Sequence, residues 1–242
     1  MKTMAALTIN HISKSFHLAS GTKTALQDVS LCIEEGSCTV ISGENGSGKS
    51  LLMSIVCGLT EADFGTVECS GRAGMVFQEA ETQILGETPT EGIAFGPKNL
   101  GWKKEQVEQA VEQALQKTGL TQKADYPARF LSGGEKRRLA VACMLAMDLP
   151  IIILDEPYAN LDYGGVRQVN ELVCSLKQDG KTVIILTHET EKCLGLADHF
   201  VVLFRGKKVF DGTPEQGLAQ DLEHWNIRNP LVQYKKVQEL VW

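Results

Sequence analysis

Short apolar runs rich in β-branched residues recur along the chain, separated by polar stretches of helical periodicity. Pro150-Ile151-Ile152-Ile153-Leu154 and Thr182-Val183-Ile184-Ile185-Leu186 have no polar face, the pattern of strands covered on both sides in a parallel sheet. The segment Gly165 to Gln178 between them predicts a helix, so the alternation predicts βαβ units. Cys38-Thr39-Val40-Ile41-Ser42 is a third β-prone run, ending abruptly in glycine. In Lys49 to Gly58 after it, Leu51, Leu52, Ile55 and Val56 share one helical face. Alternation from Leu7 to Ile12 and from Ala25 to Ile33 predicts two early strands, with a turn near Ser20 to Thr22. Thr66 to Cys69 and Gly74 to Phe77 predict a hairpin around Ser70-Gly71. Val107, Val111 and Leu115 recur every fourth residue among Glu, Gln and Lys, so one amphipathic helix lies in a helical insert from about Glu79 to Met147. Leu218, Leu222, Trp225, Leu231, Val237 and Leu240 predict a helical tail from Pro214 to Trp242.

A chain of 242 residues, 43% apolar and 22% charged, is long enough for one domain with a subdomain. Its net charge of -6, with no Lys/Arg-rich run, argues against nucleic acid as the main partner. Apolar stretches such as Val141 to Met147 fall far short of the roughly 20 residues that span a bilayer. Met1 to Asn10 has no sustained apolar core, so no signal peptide is expected, and membrane association would come through a partner. The seven cysteines form no Cys-x-x-Cys pair and are expected to be mostly buried free thiols.

Gly43-Glu44-Asn45-Gly46-Ser47-Gly48-Lys49-Ser50 has the spacing of a phosphate loop and stands between a predicted strand and a predicted helix. Its glycines let backbone N–H groups face phosphate oxygens, Lys49 reaches the β and γ phosphates, and the Ser50 hydroxyl can ligate Mg²⁺. Asp155 and Glu156 end the Ile151 to Leu154 strand, where ligands collect in open α/β sheets. Asp155 is placed to hold the Mg²⁺ shell and Glu156 to polarise an attacking water. Taken alone, such a strand end would as easily carry ordinary solvated carboxylates. Leu131-Ser132-Gly133-Gly134-Glu135 bares a hydroxyl and backbone N–H groups at the head of a helix, a second anion cradle. Two cradles mean two nucleotides, or one nucleotide shared between two copies of the fold.

In this order the motifs resemble the nucleotide-binding subunit of ATP-binding cassette (ABC) transporters, over nearly the whole chain. The resemblance implies an α/β P-loop NTPase with a RecA-like lobe, an antiparallel β part and a helical signature subdomain. It implies a single ABC ATPase domain over 1–242: residues 1–80 and 150–212 in the RecA-like/β lobe, 81–149 in the helical subdomain, 213–242 as a C-terminal helical extension. ATP and Mg²⁺ are the implied cofactors, with Ser50, Gln78 and Asp155 around the metal and Glu156, His188 and Gln78 as the catalytic set. Gln78 matches the Q-loop glutamine, His188 the switch histidine on the γ phosphate, and Ala159-Asn160-Leu161-Asp162 the D-loop, with Asn160 in the usual place of Ser. Phe16 stands where the family keeps an aromatic that stacks on adenine, although a Phe is equally at home in a core. Ser132, Gly133 and Gly134 of one subunit would complete the ATP site built on the other's Lys49. Glu135 replaces the commoner Gln and brings a negative charge near ATP. The segment between Gly65 and Gln78 is shorter than the family's usual antiparallel arm.

A narrower resemblance lies in Val76 to Leu85 and in Gly92-Ile93-Ala94-Phe95-Gly96-Pro97-Lys98-Asn99-Leu100-Gly101, which look like the ATPase of energy-coupling-factor (ECF) transporters for vitamins and transition-metal ions. It implies a second ATPase subunit, identical or related, a transmembrane coupling subunit and a separate substrate-binding membrane subunit, at the cytoplasmic face of the membrane. Glu81 and Gln83 fit residues that meet arginines of the coupling subunit, while Glu79-Ala80 departs from the group's usual Asn-Pro; a solvated acidic surface is the other reading of Glu79 and Glu81. The alternatives are the ATPase of a conventional ABC importer and a soluble non-transport ABC ATPase.

Overall fold

The computed structural model describes residues 4–19 and 21–232. Its centre is a six-stranded sheet built from β3 (Cys38–Ser42), β5 (Ala73–Val76), β6 (Ile151–Asp155), β7 (Thr182–Thr187), β8 (His199–Phe204) and β9 (Lys207–Gly212), in the order β5-β6-β7-β3-β8-β9. The first five strands run parallel and β9 closes the edge antiparallel to β8. Strands β3, β6 and β7 are buried at every position, as the apolar runs at their centres predict. Period-two alternation divides them between two cores. Ile152 and Leu154 join Val169, Val173 and Leu176 of α5 (Tyr163–Gln178); Ile151 and Ile153 join Leu52, Met53 and Ile55 of α1 (Lys49–Val56). Each such side chain contributes about 1.5–3 kcal/mol on leaving water, and a one-residue slip would exchange the two sets. The register of β6, and with it the position of Asp155 and Glu156, is therefore set by burial on both faces.

A second sheet, formed by β1 (Ala5–Leu18), β2 (Gly21–Glu34) and β4 (Phe64–Cys69) in the order β2-β1-β4, is antiparallel and caps the α1 side. Strands β1 and β2 are each fourteen residues long, longer than alternation alone suggested, because their far ends pair through polar residues on an open face. Of the expected turn, Ser20 lies outside the described residues, and Gly21 and Thr22 already belong to β2.

The expected hairpin around Ser70-Gly71 does not form. Strand β4 pairs with β1, whereas β5 pairs in parallel with β6, so the chain crosses from one sheet to the other at Gly71. The two runs differ in burial: β4 is exposed at five of six positions, and β5 is buried at three of four. A Cβ on Gly71 would sit 2.6 Å from Pro150 Cγ, so only glycine permits the crossing so close to the head of β6.

The helical insert holds α2 (Pro89–Asn99), α3 (Lys104–Lys117) and α4 (Gly133–Ala146) around their own core. Val107, Val111 and Leu115 are buried in it, as their spacing requires. Over its described part, 214–232, the predicted helical tail is not one continuous helix: α6 (Pro214–Leu218) and a 3-10 turn at Leu222–Trp225 are the regular elements among the described residues, because Asn226 takes a left-handed conformation (φ 57°) and Pro230 disfavours helix in the residue before it. Leu222 and Ile227 are buried and Leu218 and Trp225 pack against the same cluster, so this stretch lies on its own core. Leu231 is exposed; Val237 and Leu240 lie outside the described residues. The expectation for the thiols is also corrected: Cys32, Cys69 and Cys174 are exposed, the first two on the antiparallel sheet and the third on α5.

Candidate functional site: a phosphate cradle and a separate capped helix

The loop from Gly43 to Gly48 leaves the C-terminal end of β3 and runs into α1, with positive φ at Gly43, Gly46 and Gly48. A Cβ on Gly43 would lie 2.1 Å from Leu203 O and 2.7 Å from Ser47 Oγ, so the loop is wound too tightly against β8 for any other residue. Lys49 is 5% exposed, and its ammonium donates to the carbonyls of Gly43 (2.7 Å) and Glu44 (3.2 Å). Burial pushes the Lys49 pKa down, opposed by Glu156, Asp155 and Glu44. Ser47 Oγ is buried without a hydrogen-bond partner, an unmet polar group in a loop whose chemistry is phosphate binding.

Asp155 ends β6 beside this loop and accepts from Ser50 Oγ at 3.0 Å. Its pKa is raised, chiefly by burial, with the Ser50 hydrogen bond opposing. Glu156 follows with a left-handed backbone (φ 45°), a sparsely populated conformation for a non-glycine residue and one that concentrates at functional sites. Its N–H donates to Leu186 O at 2.8 Å, which holds the kink against β7. The turn aims the buried carboxylate at three groups. Thr187 Oγ1 donates to Oε2 at 3.0 Å, His188 Nδ1 lies 3.0 Å from Oε1, and Lys49 Nζ lies 3.8 Å from Oε1.

These residues surround a cavity of about 580 Å³ lined by Glu44, Asn45, Gly46, Gly48, Lys49, Ser50, Gln78 and Glu156, within the ~300–1,000 Å³ usual for ligand sites. Gly43, Asp155 and His188 do not line it themselves but touch residues that do: Gly43 O accepts from Lys49, Asp155 from Ser50, and His188 Nδ1 lies against Glu156; Ser47 is buried within the loop. Sequence reasoning missed Lys23, Thr24 and Arg205, which also line it, because they come from β2 and the β8–β9 turn. It also missed Thr187 as a partner of Glu156. Phe16 is 40% exposed and outside the cores; it does not line the cavity, but it pairs across the strands with Lys23, which does. A larger hollow of about 820 Å³ between α3 and the end of α4 has its basic groups, Lys117 and Lys181, already paired with Asp179 and Asp148.

The second cradle is elsewhere. Ser132 caps α4: its Oγ accepts from Glu135 N (3.3 Å), and the Glu135 carboxylate accepts from Ser132 N (2.9 Å), a reciprocal capping box. Neither Ser132 nor its glycines line the Lys49 cavity. A Cβ on Gly133 would meet nothing within 4 Å, and one on Gly134 only Leu161 Cδ2 at 3.8 Å. No packing among the described residues therefore asks for the glycine pair. Leu161 belongs to the Ala159 to Asp162 segment, where Asn160 is left-handed (φ 59°), a conformation asparagine tolerates, and Asp162 caps α5 by accepting from Gly165 N.

Glu135 does not stand as a bare charge, since Lys123 Nζ lies 2.6 Å from its Oε1. Lys123, with help from the Ser132 N–H, holds the carboxyl below its ordinary range. A carboxyl depressed in the fold stabilises it above the unfolded pKa and loses that contribution as pH falls through the folded value. Lys123→Met is therefore expected to lower stability at pH 7 by at most ~1 kcal/mol, the range of partly exposed ion pairs, with the gap closing in acid. Urea midpoints across pH check this. A gap independent of pH would assign the loss to the other Lys123 contact, 5.3 Å above the Tyr126 ring.

Gln83, expected to face a partner, is turned inward: its amide accepts from Phe77 N and donates to Met75 O, both at 2.7 Å. Glu81 is exposed and takes Lys136 Nζ at 2.8 Å. Arg137 was not singled out in the sequence, yet its guanidinium donates to carbonyls of three loop residues.

A family profile described as ABC transporter matches residues 26–159. The chain is 39% identical over 210 residues to the energy-coupling factor transporter ATP-binding protein EcfA2 of Methanospirillum hungatei, an alignment taking in 81% of this chain and 53% of that protein. The chain thus spans about half the length of that relative. CbiO1 of Clostridium perfringens, described as part of the ABC transporter complex CbiONQ, superposes with a TM-score of 0.80 at 28% identity, covering 93% of this chain and 96% of that one. The ATP-binding cassette MJ0796, a dimer bound to ADP and Pi, superposes with a TM-score of 0.77 at 25% identity, covering 86% of this chain and 98% of that one. Motif order, the two-sheet fold with its helical insert and these likenesses agree: the chain belongs to the ABC transporter family and carries its ATP-binding cassette.

Proposed function

We propose that the chain is the ATP-hydrolysing subunit of a membrane transporter of the energy-coupling-factor type, serving micronutrient uptake. One domain over 1–242 works as a dimer, with an identical or related ATPase. The observation that carries this reading is the separation of the cradles: the Lys49 cavity lacks Ser132, and no packing among the described residues asks for glycine at 133 and 134. A second copy supplies the missing half of each site.

In the assembled site the Gly43 to Gly48 amides and Lys49 hold the phosphates, Phe16 stacks on the adenine, and Ser132 and Gly134 of the facing subunit close on the γ phosphate. Ser50 and Asp155, already 3.0 Å apart, are a hard-oxygen pair suited to Mg²⁺ together with Gln78; the ion neutralises charge on the phosphates when bound. Glu156 positions water and takes its proton, and His188 orients Glu156 and reaches the γ phosphate. Nucleotide that touches both chains stabilises only the closed pair, and hydrolysis reopens it. An apolar groove of about 590 Å³ lined by Leu59, Met75, Phe77, Leu100, Met144 and Met147 lies between the lobes, where Gln78 leaves the sheet. It suits the apolar face of a helix from the coupling subunit, and the protein is then peripheral, at the cytoplasmic face of the membrane. Among the described residues no helix is long and apolar enough to cross a membrane.

Hydrolysis per subunit is expected to rise with protein concentration and to approach zero in dilute monomer. Expressed with its neighbouring membrane components, the chain is expected to purify as a detergent-resistant complex with a multi-span protein. Recovery with nucleic acid instead, or a rate per subunit independent of dilution, would overturn the reading.

A further inference from the structure

Arg137 lies on α4, five residues after Ser132, and is only 9% exposed. A buried guanidinium ordinarily needs a carboxylate, yet among the described residues it forms no salt bridge. Its Nη1 donates to Pro157 O (2.8 Å) and Ala159 O (3.2 Å), and its Nη2 donates to Gln78 O (3.2 Å). The Nε has no partner, so nothing compensates the burial except three backbone carbonyls on two loops. Those loops matter because Gln78 itself lines the phosphate cavity, and Pro157 directly follows Glu156, which lines it too. Ala159 opens the segment whose Leu161 Cδ2 would be the neighbour, at 3.8 Å, of a Cβ placed on Gly134. One planar fork thus fastens three pieces: the helix presenting Ser132, the loop after β5 and the loop after β6. An arrangement that spends a buried charge on geometry rather than on a counter-ion fixes the relative position of those pieces.

We propose that Arg137 is a positioning residue that couples the two half-sites of each chain, fastening the helix that carries Ser132 to the loops that carry Gln78 and Glu156. Occupancy felt at Gln78 is passed to the α4 head through the guanidinium, so the cradle offered to the second subunit is aligned when the chain's own site is filled. This rests on the split-site reading above.

The test compares Arg137→Lys and Arg137→Met with the unsubstituted chain, each also in a Glu156→Gln background. Lys keeps the charge and stem but offers a single ammonium that cannot reproduce a planar fork; it carries the test should the Met variant not fold. Affinity of dilute monomer for a fluorescent ATP analogue is expected to stay within about twofold. The ATP concentration needed to form dimer in the Glu156→Gln background is expected to rise about tenfold, within the usual range of coupling between sites, with kcat falling similarly. A merely structural arginine would lower monomer affinity and thermal midpoint together and leave closure proportional to binding. Closure and kcat unchanged in Arg137→Lys overturn the proposal, and so does a monomer affinity that falls as far as closure does. If Glu156→Gln alone forms no dimer with ATP, the split-site reading fails first, and this coupling with it.

Discussion

Glu156→Gln is expected to reduce ATP hydrolysis by about 10²–10⁴-fold, the contribution of a positioned general base, or roughly 2.7–5.4 kcal/mol at 1.36 kcal/mol per tenfold. ATP binding is expected to persist and the closed dimer to accumulate. The carboxylate is buried, held by Thr187 Oγ1 and His188 Nδ1 and 3.8 Å from Lys49 Nζ. Glutamine keeps the shape and a hydrogen-bonding end for Thr187, whose hydroxyl can accept as well as donate. What it loses is the ability to take a proton and one negative charge beside Asp155 and the phosphates. Losing the proton acceptor stops the chemistry; losing the charge favours bound nucleotide. Single-turnover hydrolysis and sedimentation of the variant with ATP measure the two effects separately. A variant that hydrolyses at the unsubstituted rate would remove Glu156 from its role.

Ser132→Arg should abolish hydrolysis while the same chain goes on binding nucleotide. Loss of one preorganised donor at a developing charge costs about 10²–10³ in rate, and the larger side chain also obstructs the space beside Gly133 that is open in this structure. The cap lost with the serine costs about 0.5–2 kcal/mol of stability, too little to unfold a domain with three buried cores. Because Ser132 does not line the Lys49 cavity, nucleotide affinity of the monomer has no reason to change. Mixing decides the point. A Ser132→Arg chain and a Lys49→Ala chain are each inactive as pairs of themselves, yet a mixed pair holds one intact site, so roughly a quarter of the sites return on random pairing of a two-fold dimer. A Ser132→Arg monomer that no longer binds nucleotide would place the two cradles in one site.

Particular residues show where the sequence was legible. Lys49 and Ser50 could be placed because eight consecutive residues build the loop and its shape needs little from elsewhere. The central strands β3, β6 and β7 were legible for a related reason: burial on both faces keeps their middle positions apolar and leaves polar residues mainly at the strand ends. The early strands were found but cut short, since polar residues on an open antiparallel face do not mark an end. The hairpin at Ser70-Gly71 failed because sequence neighbours went to different sheets, a choice made by the partners β1 and β6 and not by the turn. Gln83 looked like a surface residue because nothing local reveals that its amide bridges Phe77 and Met75. Arg137 was invisible because its partners are carbonyls, which every residue has, located 20, 22 and 59 positions away.

The sequence by itself determined the family, the phosphate loop, the acidic strand end and the order of the motifs, since each is written in contiguous residues whose backbone conformation is local. Only the tertiary structure decided which of these groups share a cavity. It brought Glu156 onto Thr187, His188 and Lys49, left Ser132 and its glycines outside that cavity, paired Glu135 with Lys123 and tied α4 to two loops through Arg137. Those contacts depend on sheet order and on burial across many residues, and no local pattern of side chains encodes a distance between segments that the chain brings together only on folding.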